Sequence, residues 1–388
     1  MKTLTFKSIL LLFIFYTPFS HAQKANIIVE GLISDQTEMT IPYAAIVIQN
    51  TTIGTSSTEE GRFYLSLNRG HANDTLVIST MGYKTYKIKI EDFIQQEIKK
   101  IVLEDNVTSL GTIEIVSTEE YIKRAAKQIK KNYVSKNHQL DVLYRRSSIE
   151  QNVSKFFVEQ YLSIRCKGPG SYINKIQVLE SRKSADYRLA LLKQNAHSVN
   201  YMAEQHPFQD LYSLKKMQWE KIGDTNYDGE GVVVLKGIAG HKWIKLYMGI
   251  GNYEIYKIET SDLNAVYIYK KNKDGKLYLS YHNRTWKTKK EISSYHQKLL
   301  KLKTPKMNVA YRHEVFVLGI ETDKKNINIK SFGGYDIDMG DLKIPYHKEF
   351  WANISVPPAT KFYKKIKTEL ESNYGVSLET QFEHSNGN

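Results

Sequence analysis

The string Asp224-Thr225-Asn226-Tyr227-Asp228-Gly229 sets oxygen side chains at alternate positions ahead of a glycine. That is how the first half of a calcium loop is built: Asp224, Asn226 and Asp228 would donate oxygens and Gly229 would make the sharp turn. The twelfth position is Leu235, where a bidentate Glu is expected, and Val232 to Leu235 reads as a strand rather than a helix. A polar hairpin turn rich in Asn, Asp and Gly accounts for the same residues. Asp336 and Asp338, with Asp341 close by, form a second set of acids in a glycine-rich stretch. Two carboxylates do acid–base work when their surroundings push their pKa values apart, but alternate acids among glycines also make a solvated turn.

The nucleophile and metal vocabulary is otherwise thin. His206, His241, His282, His296, His313 and His347 show no H-E-x-x-H or paired ligand spacing. Cys166, the single cysteine, follows an apolar run with no base beside it in sequence and reads as a buried inert thiol. It also excludes an intrachain disulfide. Gly-x-Ser-x-Gly and P-loop strings are absent. The expectation is a non-enzymatic protein with no catalytic set, no metal site beyond the calcium string and no cofactor.

Binding chemistry has more material. Lys123, Arg124, Lys127, Lys130 and Lys131 crowd one side of a segment whose other side carries Ile122, Ala125, Ala126, Ile129 and Tyr133. This predicts an amphipathic helix, opened by Ser117 and Glu120 at capping-box spacing. Its basic side is either an anion contact or a solvated face. Tyrosine is abundant, 27 against 14 Phe, and Tyr247, Tyr253, Tyr256, Tyr267, Tyr269, Tyr278 and Tyr281 fall on predicted strands. They would make a sugar-stacking platform, line a lipid cleft, or pack the sheet with polar tips at its rim.

The elements that position these groups are mostly strands. Over 23–105, short apolar runs alternate with turn residues, as in a small β-sandwich: Phe63, Leu65 and Leu67 alternate with Tyr64 and Ser66, and Glu59-Glu60-Gly61 predicts a hairpin turn. Residues 99–103 and 112–116 would add edge strands, and 106–138 hold an edge strand and the linker helix. From 139 to 388 the pattern predicts an antiparallel β-rich domain with a C-terminal helix. Its strands are expected at 140–150, 154–165, 172–181, 230–238, 242–248, 252–260, 264–271, 276–284, 309–319 and 325–332, with Lys273-Asp274-Gly275 as a hairpin turn. Residues 183–216 would hold one or two helices, and the basic stretch 286–306 a loop or a long hairpin tip. The fold class is mainly β: a sandwich, a linker helix, then a larger antiparallel sheet with a few helices.

Residues 1–22 read as a signal peptide: Lys2 and Lys7, an apolar run from Ile9 to Tyr16, and Ser20-His21-Ala22 before a cut at Gln23. No cysteine near the cut offers a lipid anchor, and no later run reaches the length of a membrane span. The formal net charge of +14 falls slightly when Lys2 and Lys7 leave. A basic surface favours acidic glycans, anionic lipids or acidic proteins. Nucleic acid is not expected for an exported chain without a recognition motif.

Pro42-Tyr43-Ala44, Gly54-Thr55, Glu60-Gly61-Arg62-Phe63 and Ile78-Ser79-Thr80-Met81-Gly82-Tyr83 together resemble the carboxypeptidase regulatory-like domain, a transthyretin-like β-sandwich. The resemblance implies an envelope protein of gram-negative bacteria, in the periplasm or outer-membrane associated, and no peptidase. Phe350-Trp351-Ala352-Asn353, the Pro357-Pro358 break, a helix near 359–373 and Ser377 to Phe382 resemble the tail of envelope proteins that carry this module. The expected function is a binding protein whose sandwich docks to an envelope or outer-membrane partner and whose larger domain takes a protein, glycan or lipid. The alternatives are a periplasmic carrier of a hydrophobic ligand and a hydrolase with an unrecognised site.

Overall fold

The computed structural model describes residues 26–106, 116–171, 173, 175–189, 207–330, 339–354 and 360–386. The expected leader, most of the strand at 112–116, His206, Asp336, Asp338 and the Pro357-Pro358 break lie outside these residues.

The sandwich comprises β1 (Ile27–Asp35), β2 (Ala45–Ile48), β3 (Gly54–Ser56), β4 (Arg62–Leu67), β5 (Thr75–Ser79), β6 (Tyr86–Lys89), helix α1 (Ile90–Gln95) and β7 (Lys100–Leu103). Its sheets run β4-β1-β7 and β3-β2-β5-β6. Phe63, Leu65 and Leu67 are buried against Val29, Ile33, Ile46, Ile78 and Phe93, as the alternation requires. The hairpin expected at Glu59-Glu60-Gly61 is corrected: β3 and β4 belong to different sheets, so this turn crosses between layers. Gly61 has φ of +74°, and a Cβ there would sit 2.6 Å from the Ile33 carbonyl oxygen. Glycine is required by both conformation and space.

The larger sheet contains β8 (His138–Glu150), β9 (Val153–Cys166), β10 (Lys175–Lys183), β11 (Gln218–Tyr227), β12 (Glu230–Ala239), β13 (Lys242–Gly249), β14 (Ile255–Thr260), β15 (Ala265–Lys271), β16 (Leu277–Glu291) and β17 (Lys306–Glu321). Its order is β10-β9-β8-β17-β16-β15-β14-β13-β12-β11, antiparallel throughout. Neighbours in sequence are neighbours in space except β10 and β11, which lie at opposite edges, and β17 joins the two runs by pairing with β8. Two expectations change. Residues 325–330 form no strand. Gln218–Tyr227, where no strand is expected from the sequence, is the edge strand β11; an edge strand with few buried side chains lacks the apolar alternation that flags a strand.

Helices flank the sheet: α2 (Thr118–Asn132), α3 (Leu211–Lys215), α4 (Ser294–Leu299), α5 (Lys348–Asn353), α6 (Lys361–Tyr374) and α7 (Leu378–Ser385). The Ser117 Oγ accepts the Glu120 N–H at 3.2 Å, capping α2 as its sequence predicts. Tyr121, Ile122 and Ala125 then pack on Leu246, Ile258 and Tyr267. Strand alternation sends Leu143, Ile268, Tyr281 and Phe316 to the opposite face, where they meet Tyr43 of the sandwich and Trp351 of α5. Helices α6 and α7 cover Phe157 through Phe362, Ile366, Leu370, Leu378 and Phe382. The sheet is thus a wall between α2 on one side and the sandwich with α5–α7 on the other.

Candidate functional site

The sandwich closes on the sheet through the residues that carried its family resemblance. Tyr43 adopts a positive φ of 59°. This backbone turn lays its ring on Tyr281, with centroids 4.9 Å apart and planes at 27°. Gly82 donates its N–H to the Asn226 carbonyl at 2.8 Å, and its own carbonyl accepts from Asn106 N–H at 2.9 Å. The Thr85 hydroxyl donates to Asp228 at 2.8 Å, Glu59 pairs with Arg312 at 3.6 Å, and Glu60 accepts the Lys361 N–H at 2.8 Å. These contacts leave a cleft of about 400 Å³ between the two sheets.

Aromatic and thioether groups dominate the cleft. From the sandwich come Met39, Ile41, Pro42, Tyr43, Met81 and Tyr83; from the sheet come Tyr227, Val234, Tyr247, Tyr256, Ile268 and Tyr269. The phenol oxygens are largely engaged by protein. Tyr256 donates to Glu254 at 2.8 Å and accepts from Asn252 at 2.8 Å, and Tyr83 faces Asp35 at 3.5 Å. Burial, reinforced by Glu259, pushes the Tyr247 phenol up to about 12, so it stays neutral. Lys257 pairs with Glu259 at 2.6 Å and lies 4.9 Å over the Tyr247 ring. The cleft therefore offers ring faces at its walls and fixed charges at its margin, with Thr40, Ser79, Thr80 and Thr225 also in its lining. Size, aromatic lining and position between domains are those of a small-molecule site.

Of the tyrosines singled out in sequence, Tyr247, Tyr256 and Tyr269 reach this cleft. Tyr281 lies beneath Tyr43, Tyr267 stacks on His282 at 4.2 Å, and Tyr253 meets Tyr121 at 5.8 Å. Tyr278 packs with Leu140 and Ile173.

The calcium string forms the end of β11 and the β11–β12 turn, with Asp228 and Gly229 at φ of 50° and 84°. Asp224 pairs with Lys221 at 2.7 Å, Asn226 joins the Gly82 contact, and Asp228 accepts from Thr85. Among the described residues no group of three His, Cys, Asp or Glu could hold a metal. On α2, Arg124 binds Glu120 at 2.8 Å and Tyr253 at 2.5 Å. Lys123 lies 3.8 Å from Glu120, and Lys127, Lys130 and Lys131 are exposed. These four lysines do not converge on the cleft.

Two pairings escaped the sequence because strand register makes them. His138 and Cys166 are partners across β8 and β9, with Nε2 3.1 Å from Sγ. His282 and His313, on β16 and β17, bring their Nε2 atoms within 3.2 Å. The Nδ1–H of His282 donates to the Val266 carbonyl at 3.1 Å, leaving its Nε2 as acceptor for His313.

Residues 29–115 match the family model of the CarboxypepD_reg-like domain, which agrees with the sandwich and its motifs. No curated protein matches the chain. Among solved structures, a DUF1329 family protein from Desulfovibrio piger aligns at 7% identity and a TM-score of 0.26, over 55% of this chain and 96% of that one. That likeness is too slight to carry an argument.

Proposed function

We propose that this is a non-enzymatic binding protein of the cell envelope whose ligand site is the cleft between sandwich and sheet. One observation carries the reading: the regulatory-like domain does not hang free but supplies half the wall of a tyrosine-lined cleft of about 400 Å³. Ring faces backed by committed hydroxyls suit a glycan segment, whose C–H faces stack on Tyr while its hydroxyls meet Asp35 and Lys257 at the margin. Envelope location rests on the leader-like start and on the domain family. With one sheet of the sandwich turned inward, its β4-β1-β7 sheet, where Ile28 and Val102 are exposed, is the surface left for an envelope partner.

Titration calorimetry with a panel of envelope-derived oligosaccharides tests the site. Saturable binding that weakens about tenfold in Tyr247→Ala is expected for loss of one stacking wall. A protein that ignores every glycan but co-purifies with a lipid would move the cleft to the carrier reading. Purification with neither sinks the binding proposal.

A further inference from the structure

The ribbon formed by β16 and β17 runs on after its neighbours stop. Strand β15 pairs with β16 only as far as Asn283, and β8 pairs with β17 only back to Val309, whereas β16 and β17 stay paired out to Glu291 and Lys306. Its base is packed: Ile292, Met307, Val309 and Tyr311 form a small core with Trp286, Leu302 and, from after β10, Leu189 packed on it. At its end the short helix α4 and the residues after it expose Tyr295 at 69%, Leu299 at 62% and Leu300 at 37%. Soluble surfaces show single exposed apolar side chains routinely; three together at the end of a projection are a patch.

The same end of the ribbon carries Lys287, Lys289, Lys290, Lys298, Lys301, Lys303 and Lys306, with Glu291 as the one acid between 287 and 306. Among the described residues none of these lysines makes an ion pair, a state that Lys127, Lys130 and Lys131 of α2 share. The basic side of α2 is not part of this patch at its C-terminal end. Val134, just past the helix, hydrogen-bonds Leu277, the start of β16, and the tip follows the other end of that strand. At the usual rise those ends lie up to about 45 Å apart.

We propose that this tip docks on an anionic phospholipid surface, with Tyr295, Leu299 and Leu300 entering the interface and the lysines of the ribbon end meeting the head groups. Charge complementarity selects that occupant. A protein partner would have to match a net excess of unpaired lysines around an apolar point, while an anionic bilayer presents acidic head groups over hydrocarbon at that depth. Tyrosine suits the boundary, with an apolar ring and a polar end.

Flotation of the full-length protein with vesicles is the test. Vesicles of phosphatidylcholine alone are compared with vesicles of equal parts phosphatidylcholine and phosphatidylglycerol. The expected result is co-flotation with the anionic vesicles only, weakened by salt. Binding should fall about tenfold or more in Tyr295→Ser/Leu299→Ser, and similarly in Lys289→Glu/Lys298→Glu. All four positions lie outside the small core, so an unchanged thermal melt certifies the fold. Failure to float, equal flotation with neutral vesicles, or undiminished binding in the Tyr295/Leu299 variant overturns the proposal. Binding to a soluble polyanion that matches vesicle binding and ignores the apolar substitutions overturns it too. None of these outcomes bears on the glycan titration.

Discussion

The imidazole of His138 and the thiol of Cys166 are hydrogen-bonded as a neutral pair. His138 Nδ1–H donates to the Lys136 carbonyl at 2.8 Å, so Nε2, 3.1 Å from Sγ, accepts the S–H. Burial pushes the thiol up to about 12 and the imidazole below its ordinary value. A nucleophilic dyad needs the opposite, a thiolate beside an imidazolium. Native protein is expected to resist iodoacetamide at neutral pH and to react fully in denaturant, read by intact mass. Rapid native alkylation would make the pair a candidate nucleophile. His138→Ala, which leaves a void and an unanswered S–H, is expected to cost about 2–3 kcal/mol in urea unfolding.

A second prediction concerns Glu159, buried between Arg145 at 2.5 Å and Arg182 at 2.5 Å. Arg182 also lies 4.4 Å over the Trp351 ring, and Arg145 lies 5.2 Å over Tyr363, so the cluster ties β8–β10 to α5 and α6. Burial raises the Glu159 pKa, but the two guanidinium groups outweigh it and hold the carboxyl below its ordinary value. Its contribution is therefore present above the unfolded carboxylate range and lost as pH falls through the lower folded value. Glu159→Gln strands two buried cations and is expected to lose about 3–5 kcal/mol at neutral pH. Chemical denaturation across an acid pH series checks both size and sign.

Lys270 gives a slope of the same sign in a more alkaline window. It is 3% exposed, with no acid beside it among the described residues, and burial lowers its pKa to about 8. The unfolded chain then holds the proton that the folded chain releases, so stability rises with pH from about 8 toward 10. Above that, tyrosines ionise in the unfolded chain and the trend reverses. Lys270→Met is expected to raise stability at neutral pH by on the order of 3 kcal/mol and to flatten the rise. An unchanged pH profile in that variant would show that Lys270 reaches water.

The Tyr43–Tyr281 stack couples the sandwich to the sheet. Tyr43→Ala is expected to remove about 2 kcal/mol of that coupling. Calorimetry should show a single melting transition splitting or broadening, with the sandwich lost first. A uniform shift of one sharp transition would mean that Gly82, Glu59 and Glu60 suffice to hold the two together.

Much of this architecture is written in local pattern. The alternation at Phe63 to Leu67, the Ser117 cap and the Lys273-Asp274-Gly275 turn each need only a few neighbouring residues to read. The family motifs named the sandwich but not its use, since Pro42-Tyr43 and Gly82 act on residues far along the chain. Strand β8 buries Arg145, Arg146, Ser147 and Ser148, where the hydrophobic pattern alone predicts exposure. The two histidine pairings depend on cross-strand register, which no short window contains. The cleft is a property of two domains together, so its tyrosines and the motif residues Pro42 and Met81 were visible beforehand but their meeting was not.

The insertion of β17 beside β8 sets the order in which the chain becomes safe. Leu143 pairs with Phe316, so the seam of the sheet joins residues from opposite halves of the polypeptide. Until Lys306–Glu321 has been made, the 13 residues of β8 have β9 on one side and an open backbone ladder on the other. Nascent or truncated chains ending before Lys306 carry that adhesive edge, and slow long-range closure prolongs its exposure. Solubility is thus conferred late in synthesis, by a strand near the far end, rather than built up domain by domain from the start.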